Sequence, residues 1–296
     1  MSLVSPTKTY HHNVYDAINP TNPHLSVAGK TVLITGGGQG IGVSFAKAFS
    51  LAGAANIVLL GRKLNTLNET KAAVEALSTN KSKVYTFQAD VTDKTAIDTT
   101  FAKVANEIGK IDIYIANAGY LASPAPAATA SIDDLTTSLS INVTGNLIAA
   151  QAFLRHRADK ATLVAINSGA ATMYYIGPMP AYVASKAAAA RLFDQIAAEN
   201  PDVRVFNLQP GMIKSAMSEK AGMSEMANDE PELPAAAAVY LSSSEAEFLR
   251  GRFLWSNWDV TELKTMQAEI ENTTMWGQVG LVGWDSFQHK IKAPWE

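Results

Sequence analysis

Short apolar runs recur along the chain at 31–35, 56–60, 83–87, 111–116, 162–166 and 203–208, with 252–255 as a seventh. Most show no strict alternation of apolar and polar positions. Such runs suit strands buried on both faces, as in a parallel sheet. Between them, apolar positions recur at helical spacing over about 40–53, 63–78, 93–108, 132–157 and 181–199. Strand alternating with helix at this spacing predicts right-handed βαβ units. The expected fold is therefore α/β, a doubly wound parallel sheet in a single domain.

That domain is expected to run from 29 to 260. Residues 1–28 are polar, carry Pro6, Pro20 and Pro23, and show no period, so they read as an irregular arm. His11 and His12 within it are adjacent, so both could not face one metal from a helix, and they read as a solvated pair. Residues 261–296 form a C-terminal extension with Trp276, Trp284 and Trp295. Three large apolar side chains argue that it packs on the domain or on a neighbour.

Composition narrows the function classes. Hydrophobic residues make up 47% of the chain and charged residues only 17%, which argues against disorder. A net charge of −3 gives no electrostatic footprint for nucleic acid. There is no apolar run of membrane-spanning length and no secretory signal pattern at the N-terminus, so a cytoplasmic location is expected. The absence of cysteine excludes disulfides and thiolate sites, and no metal site is expected.

Thr35-Gly-Gly-Gly-Gln-Gly-Ile-Gly42 stands between the first strand and the first helix. Glycines let a backbone approach a pyrophosphate, and the helix start offers N–H groups and the positive end of its dipole. Any tight strand–helix turn uses glycine, but the βαβ context points to a dinucleotide site of the Rossmann fold. The second strand ends Leu59-Leu-Gly-Arg-Lys63, where an NAD site usually has an acid for the ribose hydroxyls. Gly61 leaves space there, Arg62 can pair with a 2′-phosphate, and Lys63 adds charge. NADP(H) is expected over NAD(H). The plainer alternative is that Arg62 is a solvated residue at a helix start.

These residues, with several motifs further along, resemble the short-chain dehydrogenase/reductase superfamily. The likeness covers about 230 residues, from Lys30 to near Asp259. Gly36, Gly40 and Gly42 fit the glycine motif, with Gly38, Gln39 and Ile41 inside it. Asp90-Val91 fits the acidic pair that caps the third strand. Asn117-Ala118-Gly119 fits the Asn-Asn-Ala-Gly motif, with Ala116 replacing its first Asn. Asn142 fits the helix asparagine, Tyr182-Val-Ala-Ser-Lys186 the Tyr-x-x-x-Lys signature, and Pro210-Gly211 the turn on the nicotinamide side. The resemblance implies that Ile213 meets the carboxamide through its backbone, that Ser215 touches a phosphate, and that Asn142 holds a water linking Lys186 to solvent. It also implies a homodimer or homotetramer built on the helices near 132–157 and 181–199.

Tyr182 and Lys186 lie at i, i+4 and hence on one face of the expected helix. A nearby ammonium stabilises phenolate and should bring the phenol closer to neutrality, making it a useful proton donor. Ser168 is the expected third member, donating to a substrate carbonyl oxygen. It stands 14 positions before Tyr182, one more than is usual in the family, and a strict count would land on Gly169. A one-residue insertion within 172–180 reconciles the two.

The leading expectation is an NADPH-dependent reduction of a ketone, with Asn142, Ser168, Tyr182 and Lys186 as the catalytic set. Two alternatives stand beside it. One is the same fold performing C=C or imine reduction or a templated cyclisation. The other is a non-catalytic NADPH-binding regulator. Tyr174, Tyr175 and Met179, with Met212 and Met217, fall on two segments expected to wall the substrate; ordinary core filling is the plainer reading. None is charged, so a hydrophobic, ring-containing small molecule is expected.

Overall fold

The computed structural model describes residues 5–77, 82–273 and 275–280. Seven strands form one parallel sheet in the order β3-β2-β1-β4-β5-β6-β7. They are β1 (Thr31–Thr35), β2 (Asn56–Gly61), β3 (Lys83–Gln88), β4 (Ile111–Ala116), β5 (Arg157–Ile166), β6 (Arg204–Gln209) and β7 (Phe253–Trp255). The expected apolar runs and these strands agree closely, and β5 begins earlier, at Arg157. Successive residues of β1 serve opposite layers: Val32 and Ile34 enter one core, and Leu33 enters the other.

On one face lie α3 (Lys94–Glu107), α4 (Ile132–Leu139), α5 (Asn146–His156) and α6 (Pro180–Glu199). Phe101, Phe153 and Phe193 from this layer pack with Tyr114 of β4. On the other, α1 (Ile41–Leu51) packs against α8 (Glu232–Ser242). Between β2 and β3 runs α2 (Leu64–Glu75), and α7 (Ala216–Lys220), α9 (Val260–Thr265) and α10 (Gln267–Asn272) complete the helices of the described residues. The single helix expected over 132–157 is instead two, joined by a π-helical turn at Ser140–Gly145, with β5 already begun at Arg157. Gly145 permits the close approach there: a Cβ on it would stand 2.9 Å from Val91 Cγ2.

The residues ahead of β1 hold two short 3-10 turns, Asp16–Ile18 and Pro23–Leu25. Ile18, Leu25 and Val27 are buried in the same core as α1 and α8. The expectation that His11 and His12 are a solvated pair holds only in part: the His12 side chain is 42% exposed and that of His11 20%, and both are engaged. His11 stacks on Tyr15 with ring centroids 3.6 Å apart and bonds Asp259, and His12 bonds Asp229. The fold carries each imidazole to a distant aspartate, which local sequence could not reveal. Of the C-terminal tryptophans, Trp276 packs edge-on against Trp258 at 6.3 Å. Trp284 and Trp295 lie outside the described residues. No helix among the described residues is long and apolar enough to cross a membrane.

Candidate active site

Strand order reverses between β1 and β4, and the loops after these two strands meet at the carboxyl edge of the sheet. Such switch points are where open α/β sheets bind ligands. Gly36 adopts φ +66° and Gly40 φ +54°, conformations that favour glycine. Gly42 has no room for a side chain, since a Cβ would lie 2.2 Å from the Gly36 carbonyl oxygen. Around Gly40 a Cβ would meet nothing within 4 Å, and no side chain caps the start of α1. Gln39 and Gly40 are exposed, and Ile41 is half-buried.

Asn117 locks this loop to β4. Its Nδ2 donates to the carbonyl oxygens of Thr35 at 3.0 Å and Gly36 at 3.1 Å. The Thr35 hydroxyl accepts from the backbone N–H groups of Asn117 and Ala118. The Gly37 N–H donates to Leu60, so the glycine loop abuts the end of β2. Arg62 and Lys63 emerge there exposed, and neither forms an ion pair among the described residues. Asp90 caps its own turn, accepting from the N–H and hydroxyl of Thr92 at 2.9 and 2.8 Å.

The other expected residues gather beyond β4 and β5. Ser168 stands close enough to Tyr182 to act on its phenol, and its own hydroxyl oxygen accepts the Ala170 N–H at 3.2 Å. Lys186 Nζ lies 5.9 Å from the centre of the Tyr182 ring and donates to the Ile166 carbonyl at 3.0 Å. Burial lowers the Lys186 ammonium from its ordinary 10.5 to about 8. Burial also pushes the Tyr182 phenol up, with the nearby Ser168 pulling against it. The expected downward shift from Lys186 is thus reversed here, because desolvation of the phenolate prevails.

Asn142 sits on the π-helical turn, wholly buried. Its Oδ1 accepts the Tyr120 N–H at 2.8 Å, and its Nδ2 donates to the Tyr120 carbonyl at 2.8 Å and to Ser185 Oγ at 2.9 Å. The Ser185 hydroxyl donates to the Tyr182 carbonyl. The Asn142 side chain is therefore engaged in holding the chain after Gly119 to α6. A Cβ on Gly119 would stand 3.5 Å from Asn142 Oδ1 and 3.7 Å from Lys186 Nζ. Sequence reasoning missed Tyr120 and Ser185; Ser185 lies within the Tyr-x-x-x-Lys segment, so its place on the helix was available.

Pro210-Gly211 follows β6, with Gly211 at φ +99°. Ile213 pairs with Asp229 in an isolated parallel bridge. Ser215 caps α7, its hydroxyl accepting from the Ser218 N–H at 3.2 Å. The two segments expected to wall the substrate do meet: Met179 is buried with Leu121, Ala170 and Tyr182, and Met223 and Ala221 pack against that cluster. Met212 is half-buried. Tyr174 and Tyr175 point away into solvent, 99% and 61% exposed, and Met217 is also exposed. Their loop carries the rings outward, so Tyr174 and Tyr175 do not line an enclosed wall in this structure. Lys220, at the end of α7, donates to the Leu121 carbonyl at 2.7 Å and lies 4.7 Å from the Tyr120 ring centre. Trp255, at the end of β7, stands against Gly169, with ring carbons 3.3 Å from where a Cβ would be.

The chain that brings a tyrosine, a serine and a lysine together beside a glycine loop is similar to known proteins over most of its length. A short chain dehydrogenase/reductase of Claviceps purpurea is 34% identical over 287 residues, covering 95% of this chain and 96% of its own length. The short chain dehydrogenase/reductase AacuD of Aspergillus aculeatus is 31% identical over 286 residues, 95% of this chain and 98% of its own. A short chain dehydrogenase from Burkholderia cenocepacia, solved in complex with NADP, superposes with a TM-score of 0.71 at 26% identity, covering 79% of this chain and 99% of that one. The family model described as short chain dehydrogenase matches residues 30–225, two thirds of the chain, and with the fold and the gathered side chains it places this protein in the short chain dehydrogenase family.

Proposed function

We propose that the protein is an NADP(H)-dependent oxidoreductase that reduces a ketone on a hydrophobic, ring-containing small molecule. The observation that carries this reading is the gathering of Tyr182, buried in its apolar cluster, with Ser168 close enough to oppose the rise of its pKa and with the buried Lys186 5.9 Å from its ring centre. The glycine loop fits a pyrophosphate: its backbone is open at Gly40, and α1 begins without a side-chain cap. Arg62 and Lys63, exposed at the end of β2, fit a 2′-phosphate, and the NADP complex of the Burkholderia relative supports that choice. Asp90 and Val91 bound the adenine side, and Asn117, Ala118 and Gly119 the middle. Pro210, Gly211, Ile213 and Ser215 bound the nicotinamide side.

When bound, NADPH supplies the hydride that reaches the carbonyl carbon. The Tyr182 hydroxyl gives its proton to the carbonyl oxygen, and the Ser168 hydroxyl donates a hydrogen bond to the same oxygen. Lys186, easily deprotonated because it is buried, can hold or release the replacement proton. Asn142 fixes the Tyr120 backbone and α6 relative to one another, so that Gly119 and Lys186 stay in register. The apolar cluster of Leu121, Met179 and Met223 around Tyr182 excludes water from the transfer.

Tyr182→Phe tests the reading. It keeps the ring and removes the proton, and should lower kcat for ketone reduction by 10² or more while leaving NADPH affinity within about twofold. The assay is loss of NADPH absorbance with a panel of small, aromatic and polycyclic ketones. Near-normal turnover by the variant would favour C=C or imine reduction on the same fold.

A further inference from the structure

The chain ahead of β1 meets the catalytic half of the molecule at one carboxylate. Asp229 lies between α7 and α8, with its side chain only 3% exposed. Its Oδ1 accepts from His12 Nδ1 at 2.5 Å and from Asn257 Nδ2 at 3.0 Å. Its Oδ2 accepts the Met212 N–H at 2.6 Å. The backbone repeats the connection: the Asp229 N–H donates to the Met212 carbonyl at 3.1 Å, and the Glu230 N–H to the His12 carbonyl at 2.9 Å. A carboxylate only accepts, so three donors from three distant segments converge on this one group.

The turn after β6 is shaped around that carboxylate. A Cβ at Gly211 would lie 2.6 Å from Asp229 Oδ2, so glycine is needed for space as well as for its φ of +99°. His12 is itself held firmly. The preceding residue is fixed by its stacking on Tyr15 and by its bond to Asp259 at 2.8 Å. Further back, the N–H groups of Lys8 and Thr9 donate to Glu262 at 2.7 and 3.0 Å. A donor that loses little freedom on bonding a charged acceptor orders that acceptor strongly.

We propose that His12 and Asp229 are positioning residues through which the N-terminal arm fixes the Gly211–Met212 turn at the nicotinamide end of the cofactor site. This rests on the reading above that the turn after β6 borders the nicotinamide. The contacts both side chains make are with the protein itself, and neither is among the residues assigned above to the cofactor or the substrate. The arm is thereby a working part of the site, although it lies outside the residues that match the family model.

The test compares two ligands on the full-length protein by calorimetry. NADPH spans the whole site, whereas 2′,5′-ADP reaches only the adenosine end. His12→Ala should raise the NADPH Kd at least fivefold and move that of 2′,5′-ADP less than twofold. Asp229→Asn, which keeps the shape and removes the charge, should show the same split. His12→Asn, whose amide N–H stands about where Nδ1 does, should recover most of the loss. Equal weakening of both ligands, weakening of neither, or no recovery with His12→Asn would overturn the proposal and leave the cofactor reading intact. Unaltered protein that binds neither ligand would overturn both.

Discussion

Lys186, to which the proposed reaction gives the replacement proton, is also a burden on the fold. Its ammonium is buried, and its pKa falls from the ordinary 10.5 to about 8. At pH 7 the group is charged both folded and unfolded, and the folded protein bears the whole cost of burying that charge. Two and a half decades at ~1.4 kcal/mol each come to about 3 kcal/mol. Lys186→Met keeps the length of the side chain and removes the charge. It also loses the hydrogen bond to the Ile166 carbonyl, worth about 1 kcal/mol net. The variant, free of ligand, should therefore be more stable by about 2 kcal/mol at pH 7. At roughly 2 °C per kcal/mol for a chain of this size, Tm rises by about 4 °C. The pH dependence gives an independent check. Between about 8 and 10.5 the unfolded state binds more protons at this position than the folded state, so the unaltered protein gains stability as pH rises through that window. The variant should lack this gain, so the difference between the two should close at about pH 9.5 and reverse by about 1 kcal/mol above about pH 10.5, where the unaltered protein keeps its hydrogen bond to Ile166. Urea titrations of both proteins at pH 7 and pH 10 measure it. A Lys186→Met protein less stable at pH 7, or a difference that stays constant with pH, would refute the reasoning. The same variant should lose ketone reduction, so function here is bought with stability.

Two further outcomes follow from the cofactor loop. Arg62→Ala should erase most of a preference for NADPH over NADH of at least tenfold, about 1.4 kcal/mol, as read by the two dissociation constants; equal constants in the unaltered protein would end that reading. Gly42→Ala places a Cβ 2.2 Å from the Gly36 carbonyl oxygen, and the backbone must move to relieve it. NADPH binding should weaken at least a hundredfold and Tm should fall, by calorimetry and thermal melting; a variant binding NADPH normally would show that the loop is not held as described.

Most strands were legible in the sequence because the central ones are buried on both faces and read as largely apolar runs, while the edge strand β3 is only half-buried. Helix α8 was not, for the same reason. Ala235, Ala236, Ala237 and Ala238 are all buried, so no polar face marks a helical period. The π-helical turn at Ser140–Gly145 was hidden inside a stretch of helical spacing, since one wider turn barely disturbs the pattern. The glycine loop and the Tyr182–Lys186 pair were legible because both are local: one is a turn, the other two residues on one helix face. Ser168, one place off the usual spacing, lies close enough to Tyr182 to act on its phenol. The carboxylate of Asp229 had no such signal, because its partners stand 217, 28 and 17 positions away. The phenol of Tyr182 was misjudged because spacing reports proximity to a cation but says nothing about the loss of water around both groups.

The outer edge of the sheet carries one more consequence. Strand β7 is only three residues long, and the Phe253 N–H on its open side donates to the Gly277 carbonyl at 2.6 Å. Arg252, just before it, donates to the carbonyls of Ile270 and Trp276 and so moors the same stretch of chain. An uncovered strand is a template on which another molecule can add its own, the usual start of aggregation through backbone pairing. Here the protein's own C-terminal segment occupies part of that template, so partial unfolding that frees residues 270–277 would expose the β7 edge while leaving the nucleotide half of the sheet untouched.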